Sequence, residues 1–285
     1  MKFGCCMGLA TFLMPSTSRG FQLKSLSFRE KMGKIPAMME ALEKNGFDFV
    51  EAEVSLVAPE GALEDFKSFK KRMSSYSIKP EVFSAFVPPD LKVVGPGVEK
   101  ERLKRYLALS FYRAREVGGE VIIWGSGSSR SYPVHYPQAE ASKQIEEFLN
   151  WAADLARESG IHLAIEPMNK GESNMINSLQ EALTFVNKMN RQEIKVMVDF
   201  YHMMMEKEKL TIVESCKGKI IHVHLSDKDR RCPGDGDYPF YDLFKMMKNI
   251  DYQSRISLEC NFQDFARESK RGLEFVKGIW ERTKQ

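Results

Sequence analysis

Four acidic or histidine residues stand near the C-terminal ends of four successive strand-like segments in the second half of the sequence. They are Glu166 in HLAIEPMN, Asp199 in KVMVDFYH, His224 in IIHVHLSD and Glu259 in RISLECNF. Parallel strands that each end in one oxygen or nitrogen ligand can gather those ligands around a divalent cation at the mouth of a barrel. Four such residues in register predict a metal-dependent enzyme.

The donor set indicates the kind of ion. Two Glu, one Asp and one His form an oxygen-rich shell with a single imidazole, which favours Mn²⁺, with Mg²⁺ or Co²⁺ as alternatives. Zn²⁺ is also compatible, although no thiolate pair selects for it. Any one of the four could be a structural polar residue, but all four without a cation would bury several like charges. One divalent ion is therefore expected.

Side-chain alternation supports this grouping. Residues two apart along a strand share a face, so His222 shares a face with His224, and Ser257 shares a face with Glu259. His222 is expected to pack behind the site or support it, and not to be a ligand itself.

Other residues could reach the same mouth. Glu172, His202 and Arg230 each lie in the loop just past one of the four residues. Trp124, at the end of the fourth strand, could form an apolar wall for a sugar ring, and a core position at the barrel rim fits it equally well.

Short β-rich runs alternate with amphipathic helical stretches along the whole chain. Such alternation implies parallel strands, and about eight units close into a (β/α)₈ TIM barrel, the α/β fold class predicted here. An open doubly wound sheet is the alternative, but no GxGxxG turn follows the first strand. The predicted strands are Lys2–Met7, Phe47–Glu53, Ile78–Phe86, Glu120–Trp124, Ile161–Glu166, Lys195–Phe200, Ile220–Leu225 and Arg255–Glu259.

The helical stretches carry apolar residues at three- and four-residue spacing. Gly46, Gly118 and Gly160 each stand at a helix end just before a strand, where a left-handed C-cap is expected. No linker interrupts the pattern, so residues 1–285 are predicted to form one domain. The later predicted helices are Ser178–Asn190, Lys207–Cys216, Tyr238–Asn249 and Phe265–Thr283.

Long irregular stretches follow four of the strands, which places them on the catalytic face of a barrel. Arg19 and Arg130 lie in two of them and would contact a phosphate only if they point inward. Glu51 and Glu53, on the second strand, could reach the mouth and bind a sugar hydroxyl, or could be solvated or capping residues. The four stretches are Thr11–Leu26, Pro88–Gly97, Ser126–Tyr136 and Met168–Asn177.

Composition excludes several classes of protein. The net charge is +3, from 42 basic and 39 acidic residues, and no basic stripe predicts a nucleic-acid partner. No apolar run approaches the roughly 20 residues of a membrane span, and the N-terminal MKFGCCMGLATFLMP is interpreted as a strand and loop and not as a signal peptide. Five cysteines without a CxxC pair favour a reduced, cytoplasmic setting. Cys232 and Cys260 could line the site, or could be small buried fillers.

Three motifs carry a family resemblance. HVHLSDKDRRCPGDGDYPFYDLF, VDFYHM and LEC resemble the strand-seven His with its Asn-Arg-x-x-Pro-Gly-x-Gly loop, the Asp-x-x-His element and the final strand-end Glu of the sugar phosphate isomerase/epimerase superfamily. Within these xylose-isomerase-like barrels the sequence is most similar to the ketose 3-epimerases of the tagatose/psicose type. The resemblance covers essentially the whole chain and is strongest from residue 161 onward.

The resemblance implies roles for particular residues. Glu166, Asp199, His224 and Glu259 would bind the metal ion, and Glu172, His202 and Arg230 would contact oxygens of a sugar substrate. The chain departs from the family pattern at Ser226-Asp227, where Gly-Glu is usual, at Asp229, where Asn is usual, and at Pro167 after the first Glu. These departures surround the substrate pocket more than the ion. Relatives in the superfamily are often dimers or tetramers, so a homo-oligomer is also implied.

This family chemistry is proton transfer next to a ketose carbonyl through an enediolate. Glu166 and Glu259 are the expected catalytic acid and base, on opposite faces of the intermediate. Epimerisation at C3 is favoured, and aldose–ketose isomerisation uses nearly the same chemistry. A dehydratase or lyase acting on an inosose or a 3-keto sugar is the alternative within the superfamily.

Two readings from other classes remain. A DNA-repair endonuclease shares the barrel but needs extra histidines, whereas this chain has five His and none before His135. A non-catalytic sugar-binding barrel could keep the cation, but the intact acid and base residues argue against it.

Overall fold

The fold is a closed barrel of eight parallel strands. The computed structural model describes residues 1–7 and 26–284, so Arg19 and all of the predicted loop Thr11–Leu26 except Leu26 lie outside the described residues. The strands follow one another in chain order and β1 closes the barrel on β8, which confirms the predicted (β/α)₈ barrel. The strands are β1 (Lys2–Cys6), β2 (Phe49–Glu53), β3 (Pro80–Ser84), β4 (Val121–Trp124), β5 (His162–Ile165), β6 (Ile194–Asp199), β7 (Ile220–Leu225) and β8 (Arg255–Leu258).

Helices alternate with the strands and cover the outside of the barrel. Gly46 and Gly160 end α1 and α5 in the left-handed conformation, with φ of 81° and 64°, as the sequence predicts. In the described part of the chain, no helix is long and apolar enough to cross a membrane. The helices are α1 (Phe28–Asn45), α2 (Leu63–Ser74), α3 (Lys100–Glu116), α4 (Gly127–Arg130), α5 (Gln138–Ser159), α6 (Leu179–Met189), α7 (Phe200–Met205), α8 (Ile212–Ser215), α9 (Phe240–Asn249) and α10 (Phe265–Arg282), with 3₁₀ turns at Val54–Val57 and Lys228–Arg230.

One predicted helix is wrong in its placement. The sequence pattern predicts a helix over Lys207–Cys216, but the structure has α7 directly after β6 and only the short α8 near the end of that range. Asp199 accepts the backbone N–H of His202 at 3.0 Å and so caps a helix that begins at once. Lys207 then adopts a left-handed conformation with φ of 52°, which ends the helical run at the start of the predicted range.

The barrel interior below the mouth is filled mainly by apolar side chains, with the buried His222 packed against Phe49. Gly4 faces this interior, because a Cβ at that position would lie 2.3 Å from the Phe49 ring. The small residue on β1 thus leaves room for the large one on β2, and the two strands pair with Gly4 opposite Phe49. This layer supports the polar residues above it. Its buried members are Phe49, Val82, Val121, Ile123, Ala164 and Met197.

Candidate metal centre and substrate site

Glu166, Asp199, His224 and Glu259 meet at the C-terminal mouth of the barrel. One ligand atom from each lies within 4.8 Å of the ligand atoms of the other three. The Nδ1 atom of His224 is central: it lies 3.5 Å from Glu166 Oε1, 3.7 Å from Asp199 Oδ2 and 3.4 Å from Glu259 Oε2. The structure therefore brings together all four predicted ligands.

Strand alternation explains why these side chains converge. Ala164 and Met197 belong to the apolar interior layer, so Glu166 and Asp199, each two residues further along, point to the same interior one layer higher. Asp199 lies opposite His224 in the pairing of β6 with β7. The inward faces expected from the sequence are thus the faces that the barrel uses.

A buried carboxylate that sequence reasoning did not resolve lies behind His224. Glu51 is 1% exposed, and its oxygens lie 3.0 Å from Nε2 of His224 and 3.0 Å from Nε2 of His222. An ionised carboxylate only accepts, so both Nε2–H groups donate to it. Of the alternatives for Glu51, contact with a sugar hydroxyl and solvation are therefore wrong, whereas Glu53 pairs with Lys31 at 2.5 Å outside the cluster. His222 has the supporting place that the sequence predicts.

The remaining nitrogen of His224 tests whether a metal ion fits. With Nε2 turned to Glu51, Nδ1 points into the four-residue cluster, where it is buried and has no hydrogen-bond partner. Three carboxylates and one unpartnered imidazole nitrogen form a donor set suited to a divalent cation. A carboxylate that holds the far nitrogen of a histidine is also the usual support of a histidine ligand. The residues present therefore fit a divalent ion.

The electrostatics of the cluster point in the same direction. Burial raises the pKa of the Glu166 carboxyl, and His224 offsets this only in part. Burial acts upward on Asp199 and Glu259 as well, but the positive charges of neighbouring basic side chains prevail and lower both pKa values. Burial alone would lower the pKa of His224, yet the surrounding carboxylates raise it well above its usual value. The cluster therefore attracts positive charge.

Arg230 joins the cluster from the loop after β7. Its Nη1 lies 3.2 Å from Asp199 Oδ2 and also contacts Glu259, and its guanidinium stacks on Tyr201 with 4.4 Å between Cζ and the ring centroid. Asp229 and Arg230 both adopt left-handed backbone conformations, with φ of 60° and 56°. Such conformations in non-glycine residues cost about 1–3 kcal/mol each and concentrate at functional sites.

Asp227 holds this strained loop in place. Its carboxylate is buried and accepts backbone N–H groups from Lys228 at 2.9 Å, Gly234 at 3.1 Å, Gly236 at 2.9 Å and Tyr238 at 3.3 Å. The departure from the family pattern at this position thus supplies a loop anchor. The hydroxyl of the neighbouring Ser226 is buried without a partner.

A second chain of contacts joins the other predicted substrate residues. His202 Nδ1 accepts the backbone N–H of Asn169 at 3.2 Å, and the Asn169 amide donates to Glu172 Oε1 at 2.8 Å. Because Nδ1 accepts, the ring proton of His202 lies on Nε2, which faces Arg230 Nη2 at 3.0 Å. Both groups are then donors, so neither satisfies the other and each could still donate to an acceptor oxygen. Asn169 was missed in the sequence because its importance depends on these two contacts.

Two other predicted contacts are not brought to the mouth. Trp124 is fully buried and packs on Phe148 of α5, with 4.5 Å between ring centroids, because Ile123 takes the inward position on β4. The structure therefore contradicts its assignment as a sugar wall. Arg130 is also fully buried, and its guanidinium donates to the carbonyl oxygens of Trp124 and Ile176. It does not point to a phosphate; burial lowers its pKa to about 10.

Two cysteines and one glycine lie next to the four-residue cluster. Cys232 and Cys260 direct their thiols at backbone carbonyls, those of Glu268 and Leu225, as expected of filler residues. Gly125 is required by close approach: a Cβ there would lie 2.0 Å from Glu166 Oε2.

Comparison with known proteins places the chain in a family. The model of the xylose isomerase-like TIM barrel family matches residues 39–279, and the chain belongs to that family. Its curated relatives include 3-dehydro-D-guloside 4-epimerase of Escherichia coli (strain K12), 27% identical over 175 residues that cover 58% of this chain and 67% of the relative. D-psicose 3-epimerase of Agrobacterium fabrum (strain C58) is 29% identical over 140 residues. That match covers 47% of this chain and 48% of the relative.

Solved structures show the same fold over nearly the whole chain. The apo 3-keto-D-glucoside 4-epimerase from E. coli superposes with a TM-score of 0.73 at 21% identity, covering 98% of this chain and 99% of that one. A D-allulose 3-epimerase from Methylomonas sp. in complex with D-allulose gives a TM-score of 0.80 at 19% identity, with 98% and 97% covered. The predicted kinship with sugar epimerases, which are isomerases, is confirmed by the names of these relatives. The chain spans about half the length of the D-psicose 3-epimerase that it matches in sequence.

Proposed function

We propose that this protein is a divalent-metal-dependent sugar epimerase acting next to a ketone, with 3-epimerisation of a ketose as the favoured reaction. The observation that carries the proposal is the cluster of Glu166, Asp199, His224 and Glu259, with the unpartnered His224 Nδ1 at its centre. The relatives named as ketose 3-epimerases support the substrate class.

The chemistry divides between an ion and the side chains. A bound divalent cation would stabilise the negative charge that develops on the substrate carbonyl oxygen. Glu166 approaches from the β5 side and Glu259 from the β8 side, so one carboxylate removes the proton from the carbon next to the ketone. The other returns a proton to the opposite face of the planar intermediate, which inverts that carbon.

The remaining residues position the sugar. Arg230 Nη2 and the Nε2–H of His202 lie 3.0 Å apart, and both donors suit oxygens of the substrate. Glu172, held by Asn169, supplies an acceptor for a sugar hydroxyl. These contacts fix the orientation that proton transfer needs.

Proton–deuterium exchange tests this function. The metal-stripped protein would be reconstituted with Mg²⁺ and incubated in D₂O with ketohexoses, ketopentoses and inososes. We expect deuterium at the carbon next to the carbonyl, and we expect its loss in Glu166→Gln and in Glu259→Gln. An active double Gln variant would show that these carboxylates are not the acid and base. Exchange position separates 3-epimerisation from aldose–ketose isomerisation, and a product lighter by one water would identify a dehydratase.

A second candidate is 4-epimerisation of a 3-keto glycoside. The similarity to the E. coli 3-dehydro-D-guloside 4-epimerase, which extends over 67% of that enzyme, favours it specifically. Here the ketone is at C3 and the inverted carbon is C4, so the same two carboxylates would serve. Exchange at C4 of a 3-keto glucoside, without exchange in free ketoses, would select this reaction. Metal binding without exchange in any of these sugars would favour a non-catalytic sugar-binding role.

The identity of the metal ion, the cellular compartment and the oligomeric state belong to the same proposal. The four-residue donor set favours Mn²⁺ as the resident ion, with Mg²⁺, Co²⁺ and Zn²⁺ as alternatives. The five cysteines are free thiols, and a reducing compartment such as the cytoplasm would keep them so. A homo-oligomer rests on the family resemblance, and light scattering of the purified protein measures it.

A further inference from the structure

Cys6 occupies a place on the inner face of the barrel. It ends β1, two residues after Gly4, which faces the interior against Phe49. Residues two apart on a strand share a face, so the Cys6 thiol also points inward. Cys6 lies opposite Glu51 in the pairing of β1 with β2, and it is 8% exposed. Its inward neighbours are thus the polar groups of the mouth.

The thiol lies within reach of two of the four proposed ligands. The Cys6 sulfur, a ring nitrogen of His224 and a carboxylate oxygen of Glu259 all lie within 4.8 Å of one another. Ligands of one ion at bond lengths of about 2.0–2.3 Å stand roughly 3–4 Å apart, so the Cys6 sulfur is already near the distance that a shared ion requires from His224 and Glu259. It has to move closer to Glu166 and Asp199, which belong to the four-residue group without it. His224 Nδ1, which lies 3.4 Å from Glu259 Oε2, is buried without a hydrogen-bond partner and so points to a ligand beside Glu259.

We propose that Cys6 supplies a thiolate to the ion held by Glu166, Asp199, His224 and Glu259. The inference rests on the metal site of the proposed function and concerns which ion that site prefers. On ligation the S–H bond breaks, a sulfur–metal bond forms and one proton leaves to solvent. A thiolate favours Co²⁺ and Zn²⁺ over the hard Mn²⁺ and Mg²⁺. The fifth donor thus shifts the preference set by the other four.

The simplest competing role is that of a small buried filler. Cys5, the preceding residue, has that role: it points outward and packs in the apolar layer between barrel and helices. Cys6 instead stands among Glu51, His224 and Glu259, where an apolar filler gains little. The two adjacent cysteines therefore differ in their surroundings, and only the inner one is placed to bind an ion.

Cobalt spectroscopy tests the proposal without reference to activity. Co²⁺ would be titrated into the metal-stripped protein, into Cys6→Ser and into the control Cys260→Ser, whose thiol faces the Leu225 carbonyl. We expect thiolate-to-cobalt charge-transfer absorption in the near ultraviolet for the wild type and Cys260→Ser, and its loss in Cys6→Ser. We also expect at least about tenfold weaker Zn²⁺ binding in Cys6→Ser, with Mn²⁺ binding changed less than about threefold.

The outcomes separate this inference from the function it rests on. Visible cobalt bands with no near-ultraviolet band in the wild type would refute ligation by Cys6 and leave the four-residue site intact. No cobalt bands in any variant would refute the metal site itself. If Cys6→Ser does not fold, the wild-type and Cys260→Ser spectra still decide, together with the rate at which iodoacetamide alkylates Cys6. That rate should fall when Co²⁺ is bound, and an unchanged rate would contradict ligation.

Discussion

The two halves of the barrel serve the site in different ways. The second half, β5 to β8, contributes the four clustered side chains, each at the end of its own strand. The first half, β1 to β4, contributes Glu51 behind His224, Cys6 beside it, and Gly125, which leaves room for Glu166.

In the proposed function the second half carries the chemistry and the first half determines its geometry. A proposed ligand of the second half would act through its own donor atom. Glu51 would act through the orientation it imposes on His224, and Gly125 through the space it leaves for Glu166. Mutations in the two halves should therefore differ in size and in kind.

The largest effect is expected from Asp199→Asn. Asn keeps the helix cap at this position, so the fold should survive. The loss of a charged ligand should weaken metal binding by more than about 100-fold, beyond the range typical of supporting residues. Calorimetric metal titration and the exchange assay measure both changes. Full metal affinity in this variant would remove Asp199 from the ligand set.

Gly125→Ala tests whether the first half of the barrel contributes by leaving space for Glu166. The added Cβ would lie 2.0 Å from Glu166 Oε2, so the carboxylate must move. A displacement of about 1 Å can cost about 100-fold in rate, and we expect a loss of kcat of that order. Gly97→Ala is the matched control, since a Cβ there meets nothing within 4 Å. Equal activities for the two variants would mean that Glu166 relocates without penalty.

Glu51→Gln should sharpen the distinction between ligand and support. The Gln side chain is neutral and has only one oxygen, so it accepts less well from the two histidines than the Glu51 carboxylate does. The orientation of His224 should therefore become less fixed. We expect metal affinity to fall about 10- to 100-fold. Glu53→Gln is the control on the same strand, because Glu53 pairs with Lys31 instead. An effect as large as that of Asp199→Asn would mean that Glu51 is itself a ligand.

The smallest effect on activity is expected from Trp124→Phe. Trp124 packs on Phe148 outside the barrel, so the change should lower the free energy of unfolding by about 1–2 kcal/mol and leave KM unchanged. Urea unfolding and steady-state kinetics provide the two measurements. A raised KM with unchanged stability would restore Trp124 to the substrate site.

The sequence predicts the contributions of the second half of the barrel better than those of the first half. Glu166, Asp199, His224 and Glu259 each end an apolar strand, and strand order with side-chain alternation brings such residues together in any closed barrel. The strands themselves are predicted to within about two residues at most ends. The helix after β6 is missed because its start depends on the side-chain cap by Asp199. The apolar pattern over Lys207–Cys216 does not reveal that cap.

The contributions of the first half depend on contacts across the barrel. Glu51 contacts His224 although the two residues are 173 positions apart in the sequence. No local sequence pattern predicts such a contact. Trp124 is a second example of a residue that the sequence alone does not place. Its position at a strand end is compatible with the mouth or with the outer core. Only the register of β4, with Ile123 inward, decides between them.

The apolar layer around Phe49 also governs how sugars reach the site. In the proposed function, that layer fills the barrel beneath Glu166, Asp199, His224 and Glu259, so a sugar that reacts at the mouth would leave through the opening by which it arrived. Each turnover then begins only after the previous sugar has departed, and a substrate and its epimer compete for one place. The product of such a reversible enzyme is a competitive inhibitor. The final ratio of the two sugars is set by their relative stability in water and not by the protein.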